Sequence, residues 1–126
     1  MASFIGTVRA GNDGDPVTAL ELEHYPGMAE RTLQAIADEA RRRWPIQDCA
    51  VIHRVGTLKV GERIVLVAVA SPHRAAAFDA CRFIIDKVKV EGPFWKKEHG
   101  PHGPQWVEAR TSDKDASGRW DQGSAN

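Results

Sequence analysis

The run Ile64-Val65-Leu66-Val67-Ala68-Val69-Ala70 constrains the fold more than any other stretch. It is continuously apolar, rich in β-branched residues and shorter than an ordinary helix. It therefore predicts a central strand covered on both faces. Directly after it, Ser71 is placed to cap a helix with Pro72 at the first position. Phe78, Cys81, Ile84, Ile85 and Val88 then give that helix an apolar side, with Asp79–Arg82 and Arg82–Asp86 as charge pairs on the wet side. Gly92-Pro93 stops it.

The flanking segments extend the pattern. Residues 3–9 read as a strand, Gly11-Asn12-Asp13-Gly14-Asp15-Pro16 as a turn, and 17–24 alternate with period two. That combination predicts a hairpin of 3–9 with 17–24. Pro26 opens a second helix whose stripe is Met28, Leu33, Ile36, Ala40 and Trp44, ended by Pro45. The run Arg41-Arg42-Arg43 at its end reads as a solvated face favoured by the helix dipole. Asp48–Val55 is a strand, and 93–98 and 104–110 are two short final strands around His99-Gly100-Pro101-His102-Gly103. The order ββαββαββ predicts an α+β fold: two layers, a mostly antiparallel sheet and two main helices. Residues 1–110 form the expected domain, and 111–126 a polar C-terminal tail whose end, 121–126, is expected to be disordered on its own.

Length and charge bound the function. A chain of 126 residues is one domain, and its net charge of zero makes the whole molecule no trap for nucleic acid or membrane. No apolar run spans a bilayer and no signal peptide is visible, so the expected location is the cytoplasm, with Cys49 and Cys81 as reduced thiols. Any anion site has to come from local clustering of cations. His73 and Arg74 open a helix, where unpaired N–H groups favour an anion. They also fit a bland role, Arg74 as a solvated residue and His73 as partner to a backbone carbonyl. Lys89 is either a C-terminal cation on the helix dipole or, partly desolvated, a nucleophile or proton donor. Lys96 and Lys97 alternate sides of a strand, so at most one faces a given pocket. Trp95, Phe94 and Trp106 suit a core or an interface. The pair His99-x-x-His102 lacks the further ligands of a zinc site, so no metal is expected.

Taken together, the motifs are more specific than their parts. Phe4-Ile5-Gly6-Thr7-Val8-Arg9, Leu22-Glu23-His24-Tyr25-Pro26-Gly27-Met28, His53-Arg54-Val55-Gly56, Ser71-Pro72-His73-Arg74 with Ala77-Phe78, Lys89, Pro93-Phe94-Trp95-Lys96-Lys97-Glu98 and Trp106-Val107-Glu108 occur in that order. In order and spacing the chain resembles the large, catalytic subunit family of molybdopterin synthase from residue 3 to about residue 110.

The resemblance implies an α/β-hammerhead-like fold and an enzyme, a sulfurtransferase of molybdenum cofactor biosynthesis. Such an enzyme converts cyclic pyranopterin monophosphate to molybdopterin. It implies three partners: a small ubiquitin-like sulfur carrier ending in a Gly-Gly thiocarboxylate, a second copy of the chain in a central dimer, and the pterin phosphate substrate. It implies no resident cofactor. By the same resemblance Lys89 and Lys96 are the catalytic lysines, Arg9, His73 and Arg74 bind the substrate, and Glu98 and Arg110 line the pocket. Family members carry a further segment ahead of the equivalent of Phe4, which this chain is expected to lack. Val90-Glu91-Gly92 also places an acid between the two lysines. A binding module of the same fold with impaired catalysis is the alternative expectation.

Overall fold

The computed structural model describes residues 1–10, 18–101, 103–107 and 111–123. Strand β5 (Arg63–Ala70) lies between β1 (Ala2–Thr7) and β3 (Asp48–His53) in one antiparallel sheet. The expected central strand is therefore central, but only one of its faces is deeply covered. Val65, Val67 and Val69 are buried, whereas Ile64, Leu66, Ala68 and Ala70 on the alternate face are half-buried. Helix α2 (Arg74–Glu91) covers the first face with Ala77, Ala80, Cys81, Phe83, Ile84 and Val88. Phe83 is 2% exposed, and its burial contributes about 2–3 kcal/mol.

The expected hairpin of residues 3–9 with 17–24 does not form. Strand β1 pairs with β5, while β2 (Ala19–His24) pairs with β4 (Gly56–Lys59) and β6 (Phe94–Gly100) in a second sheet completed by β7 (Gly103–Val107). The reason is burial. Central β5 needs a strand on each edge, and β1 provides one. Leu20 and Leu22 of β2 instead build a second core with Val8 and Leu58, joined to the first through Ile64. Reciprocal bonds from Val8 N–H to the Glu62 carbonyl and from Gly61 N–H to the Val8 carbonyl stitch the end of β1 to the turn before β5.

Helix α1 (Met28–Arg43) begins after Gly27, whose φ of 83° favours glycine and whose N–H donates to the Glu30 carboxylate. Ile36 and Ala40 of its expected stripe are buried, while Met28 is exposed. Ser71 sits just ahead of α2, rather than capping it directly. Its hydroxyl accepts from His73 N–H at 3.2 Å and donates to the Pro45 carbonyl at 2.9 Å. Phe78 is not on the buried side of α2 but is 64% exposed.

Residues 111–123, expected as part of a polar tail, form helix α3 (Thr111–Gly123). Side chains on the other helices hold it. Buried Lys87 donates to the Ser117 carbonyl and to Asp121, at 3.2 and 2.7 Å. Arg43 donates to the Trp120 carbonyl at 3.0 Å and lies over the Phe83 ring. Arg43 is thus a docking residue and not part of a solvated face. The α+β expectation stands, with two antiparallel sheets and three helices among the described residues.

Candidate functional site

The topology sorts the expected site residues by the two ends of α2. Only three residues separate β5 from α2, and the helix packs back over β5 and β1. Its first turn therefore lies at the finish of β5 and its last turn at the start. Lys89 is fifteen positions beyond Arg74, or about 22 Å along a helix rising 1.5 Å per residue.

Lys89 lies in the last turn of α2, half-buried. Gly92 N–H bonds to the Val88 carbonyl to close the helix, and Gly92-Pro93 leads straight into β6. Lys96 is therefore at the same end. Its orientation follows from register. Lys96 is opposite buried Leu22, and Glu98 is opposite buried Leu20, so Phe94, Lys96 and Glu98 share the inward face. Lys97 points the other way, with its ammonium 4.5 Å from the Trp106 ring centre. The two lysines therefore lie on opposite faces of β6. Arg9, exposed, follows Val8, whose side chain packs with Leu22, and so belongs to this end as well.

His73 and Arg74 are brought elsewhere. Both are exposed at the start of α2, with His73 as the residue before the first turn. They share that end with exposed Phe78. Within one chain they do not converge with the lysines. Arg110 and His102 lie outside the described residues. His99 faces outward, 3.3 Å from Glu21, and no cluster of three metal-ligating side chains occurs among the described residues.

One residue at the lysine end escaped the sequence reading as a site residue. His53 ends β3, and its ring stacks on Phe94 with centres 3.8 Å apart and planes 10° from parallel. Burial pushes this imidazole below its ordinary value, and the nearby charges of Lys96 and His24 push the same way against a hydrogen bond with the Arg54 carbonyl. The available signal was phase. His53 continues the inward series Cys49, Val51, so a polar ring stands where the strand pattern calls for an apolar side chain.

A groove of about 400 Å³ opens on the helical side, lined in part by Arg31, Ile36, Glu39, Arg43, Phe83 and Lys87. It lies away from the inward face of β6. Two of its cations are engaged, Arg43 with Glu39 and Lys87 with Asp121.

Two antiparallel sheets meeting at His53 and Phe94, with lysines from a helix end and a strand directed to one end of the domain, define an α+β protein suited to anionic substrates. Comparison with known proteins gives this class its family. The family model described as "MoaE protein" matches residues 1–91, and the chain belongs to that family. It is 58% identical over 120 residues to the molybdopterin synthase catalytic subunit of Ralstonia nicotianae, covering 95% of this chain and 68% of the relative. It is 54% identical to the protein of that name from Escherichia coli, covering 95% of this chain and 80% of the relative. Among solved structures, the molybdopterin biosynthesis MoaE protein from Burkholderia ambifaria superposes with a TM-score of 0.79 at 52% identity, covering 95% of this chain and 78% of that one. Molybdopterin synthase from Staphylococcus aureus gives 0.81 at 38% identity, covering 85% and 78%. The chain is thus a molybdopterin synthase catalytic subunit family member, an enzyme of molybdenum cofactor biosynthesis. No helix among the described residues is long and apolar enough to cross a membrane.

Proposed function

We propose that the chain is a sulfurtransferase, moving sulfur from the C-terminal thiocarboxylate of a small ubiquitin-like subunit onto cyclic pyranopterin monophosphate to build the dithiolene of molybdopterin. The observation that carries this reading is Lys96 on the inward face of β6, at the same end of the domain as Lys89. In each delivery the thiocarboxylate sulfur bonds to a pterin side-chain carbon and an oxygen leaves that carbon, at one position as the phosphate oxygen of the opening cyclic ester and at the other as water. Water then cleaves the acyl C–S bond, and the small subunit leaves as a carboxylate. Charge grows on the acyl oxygen during that cleavage, and on phosphate oxygens as the cyclic ester opens. Lysines held in a half-buried seam stabilise such charge more than they would in water. Lys89 either takes the acyl group or stabilises the tetrahedral intermediate. Arg9 serves the phosphate, and Glu98 lines the pocket beside Lys96. Nothing observed favours the impaired binding module, since Lys89 and Lys96 are both present at the same end of the domain.

The separation along α2 gives the reading a further requirement. His73 and Arg74 reach a substrate held at the lysine end only from a second copy of the chain. Two exposed surfaces suit that copy. Phe78 stands beside Arg74, and Ile5, Leu66 and Ile52 lie abreast on the outer face of the first sheet, with Ile5 48% and Ile52 57% exposed.

The test is molybdopterin formation from the purified protein, thiocarboxylated small subunit and cyclic pyranopterin monophosphate, run also with Lys96→Ala and Arg74→Ala. Each variant alone is defective, Arg74→Ala chiefly through a raised KM for the pterin. Mixed and allowed to exchange, they form dimers with one intact shared site and recover about a quarter of wild-type activity at low substrate. No product from the wild type refutes the enzymatic reading. Product without complementation refutes the shared site.

A further inference from the structure

His53 is held more closely than a filler of the seam between the sheets requires. Its Nδ1 is 2.8 Å from the Arg54 carbonyl oxygen. A carbonyl only accepts, so in the neutral ring Nδ1 bears the proton and Nε2 the lone pair. Phe94, on which the ring lies, is two residues before Lys96 on the same face of β6 and directly opposite His24 on β2. Three side chains able to carry positive charge, His24, His53 and Lys96, are thereby gathered around one aromatic ring. Three such charges in a half-buried seam repel more strongly than in water.

We propose that His53 is a positioning residue for Lys96: as a neutral imidazole clamped on Phe94, it fixes the strand segment carrying Lys96 and adds no charge of its own against that lysine. The proposal rests on the sulfurtransferase reading for its kinetic consequences, and on geometry alone for its structural ones. From β2 comes His24 and from β6 Lys96, whose charges both oppose protonation of His53. On β5 the residue opposite is apolar Val65. Beyond β3, the Arg54 guanidinium is directed to the Glu62 carboxylate at 3.2 Å and the Arg63 carbonyl at 3.1 Å.

The folded imidazole titrates below its ordinary value of 6.5, so the unfolded chain takes up the proton first as the pH falls. The contribution of the neutral ring to stability is therefore complete above about 6.5 and is lost as the pH drops towards the folded value. Protonation adds a further cation against Lys96, and catalysis declines over the same acid range.

Two readouts test this. Imidazole nitrogen NMR on the full chain requires no turnover. It is expected to show His53 as the Nδ1–H tautomer, titrating below 6.5 and shifting upward in Lys96→Met. A titration indifferent to Lys96→Met overturns the proposal. In the turnover assay, His53→Phe keeps a flat ring on Phe94 but cannot take a proton. It is expected to flatten the acid limb of the kcat profile and to lower kcat several-fold, with KM for the pterin moved by less than about twofold. His53→Ala, which loses the stack, is expected to lower kcat further at every pH. An acid limb unchanged in His53→Phe, or His53→Ala with wild-type kcat, overturns the positioning role. Wild-type protein that makes no product while the NMR result holds counts against the sulfurtransferase reading and not against the placement of His53.

Discussion

Replacing Trp120 by alanine is the most direct test of what holds α3 in place. The Trp120 ring meets Trp44 and Phe83 edge-on, with centres 5.5 and 5.7 Å away and both planes at 86°. Its Nε1–H donates to the Asp86 carboxylate at 2.8 Å. Truncating a fully buried aromatic costs about 3–5 kcal/mol. Trp120 is half-buried, so the packing share falls to about 1–2 kcal/mol, and the bond to a charged acceptor adds about 1 kcal/mol. The expected loss is about 2–3 kcal/mol. For a chain of 126 residues that lowers Tm by about 8–11 °C.

The comparison that separates the two contributions is Trp120→Phe. Phenylalanine keeps an edge-on ring but has no N–H for Asp86, whose carboxylate retains Arg82 at 3.8 Å. Its expected cost is about 1 kcal/mol. Urea unfolding followed by far-UV circular dichroism measures both, with the midpoint giving the change and a constant slope showing that a single transition is being compared. Trp120→Ala within about 0.5 kcal/mol of wild type would refute the reasoning, because α3 would then lie outside the cooperative unit. Equal losses in the two variants would assign the whole effect to the Asp86 bond.

Gly118 lies inside α3 with nothing within 4 Å of where a Cβ would be, so Gly118→Ala is expected to raise stability by about 0.5–1 kcal/mol in the same urea assay. Lys96→Ala is expected to abolish nearly all product formation with Tm unchanged within about 2 °C, whereas Lys97→Ala, altered on the outward face against Trp106, keeps most of the activity. The reverse ranking would assign the chemistry to the wrong face of β6.

What was legible in the sequence follows the range of the forces involved. Strand β5 and helices α1 and α2 announce themselves because their burial is periodic within a single segment. The β1–β2 hairpin was misread because a strong local turn signal says nothing about which edge is vacant: β1 is drawn to β5, about sixty residues away. Helix α3 has weak local credentials, with Gly118 in its interior and Trp120 as the large apolar side chain. It is held by Lys87, Arg43, Trp44 and Phe83, none of which is near it in sequence. Phe78 alone left the expected α2 stripe, whose other members Cys81, Ile84, Ile85 and Val88 are buried, because the small side chains Ala76, Ala77 and Ala80 cover the core at the start of the helix.

The candidate site divides along the same line. Motif resemblance singled out Lys89, Lys96, His73 and Arg74, but a motif carries no distances. The helix does: His73 and Arg74 stand at the start of α2 and Lys89 in its last turn, so one chain holds the two sets of proposed site residues at opposite ends. A rigid 18-residue helix cannot bring its own ends together, so a substrate needing both groups needs two helices meeting end against end. A two-fold axis that sets the two copies' α2 helices antiparallel side by side brings each start beside the other's finish and produces two equivalent sites. On this argument the dimer is part of the catalytic geometry, and a monomeric variant of this chain should retain its fold, its Lys96 orientation and its His53 stack while losing activity.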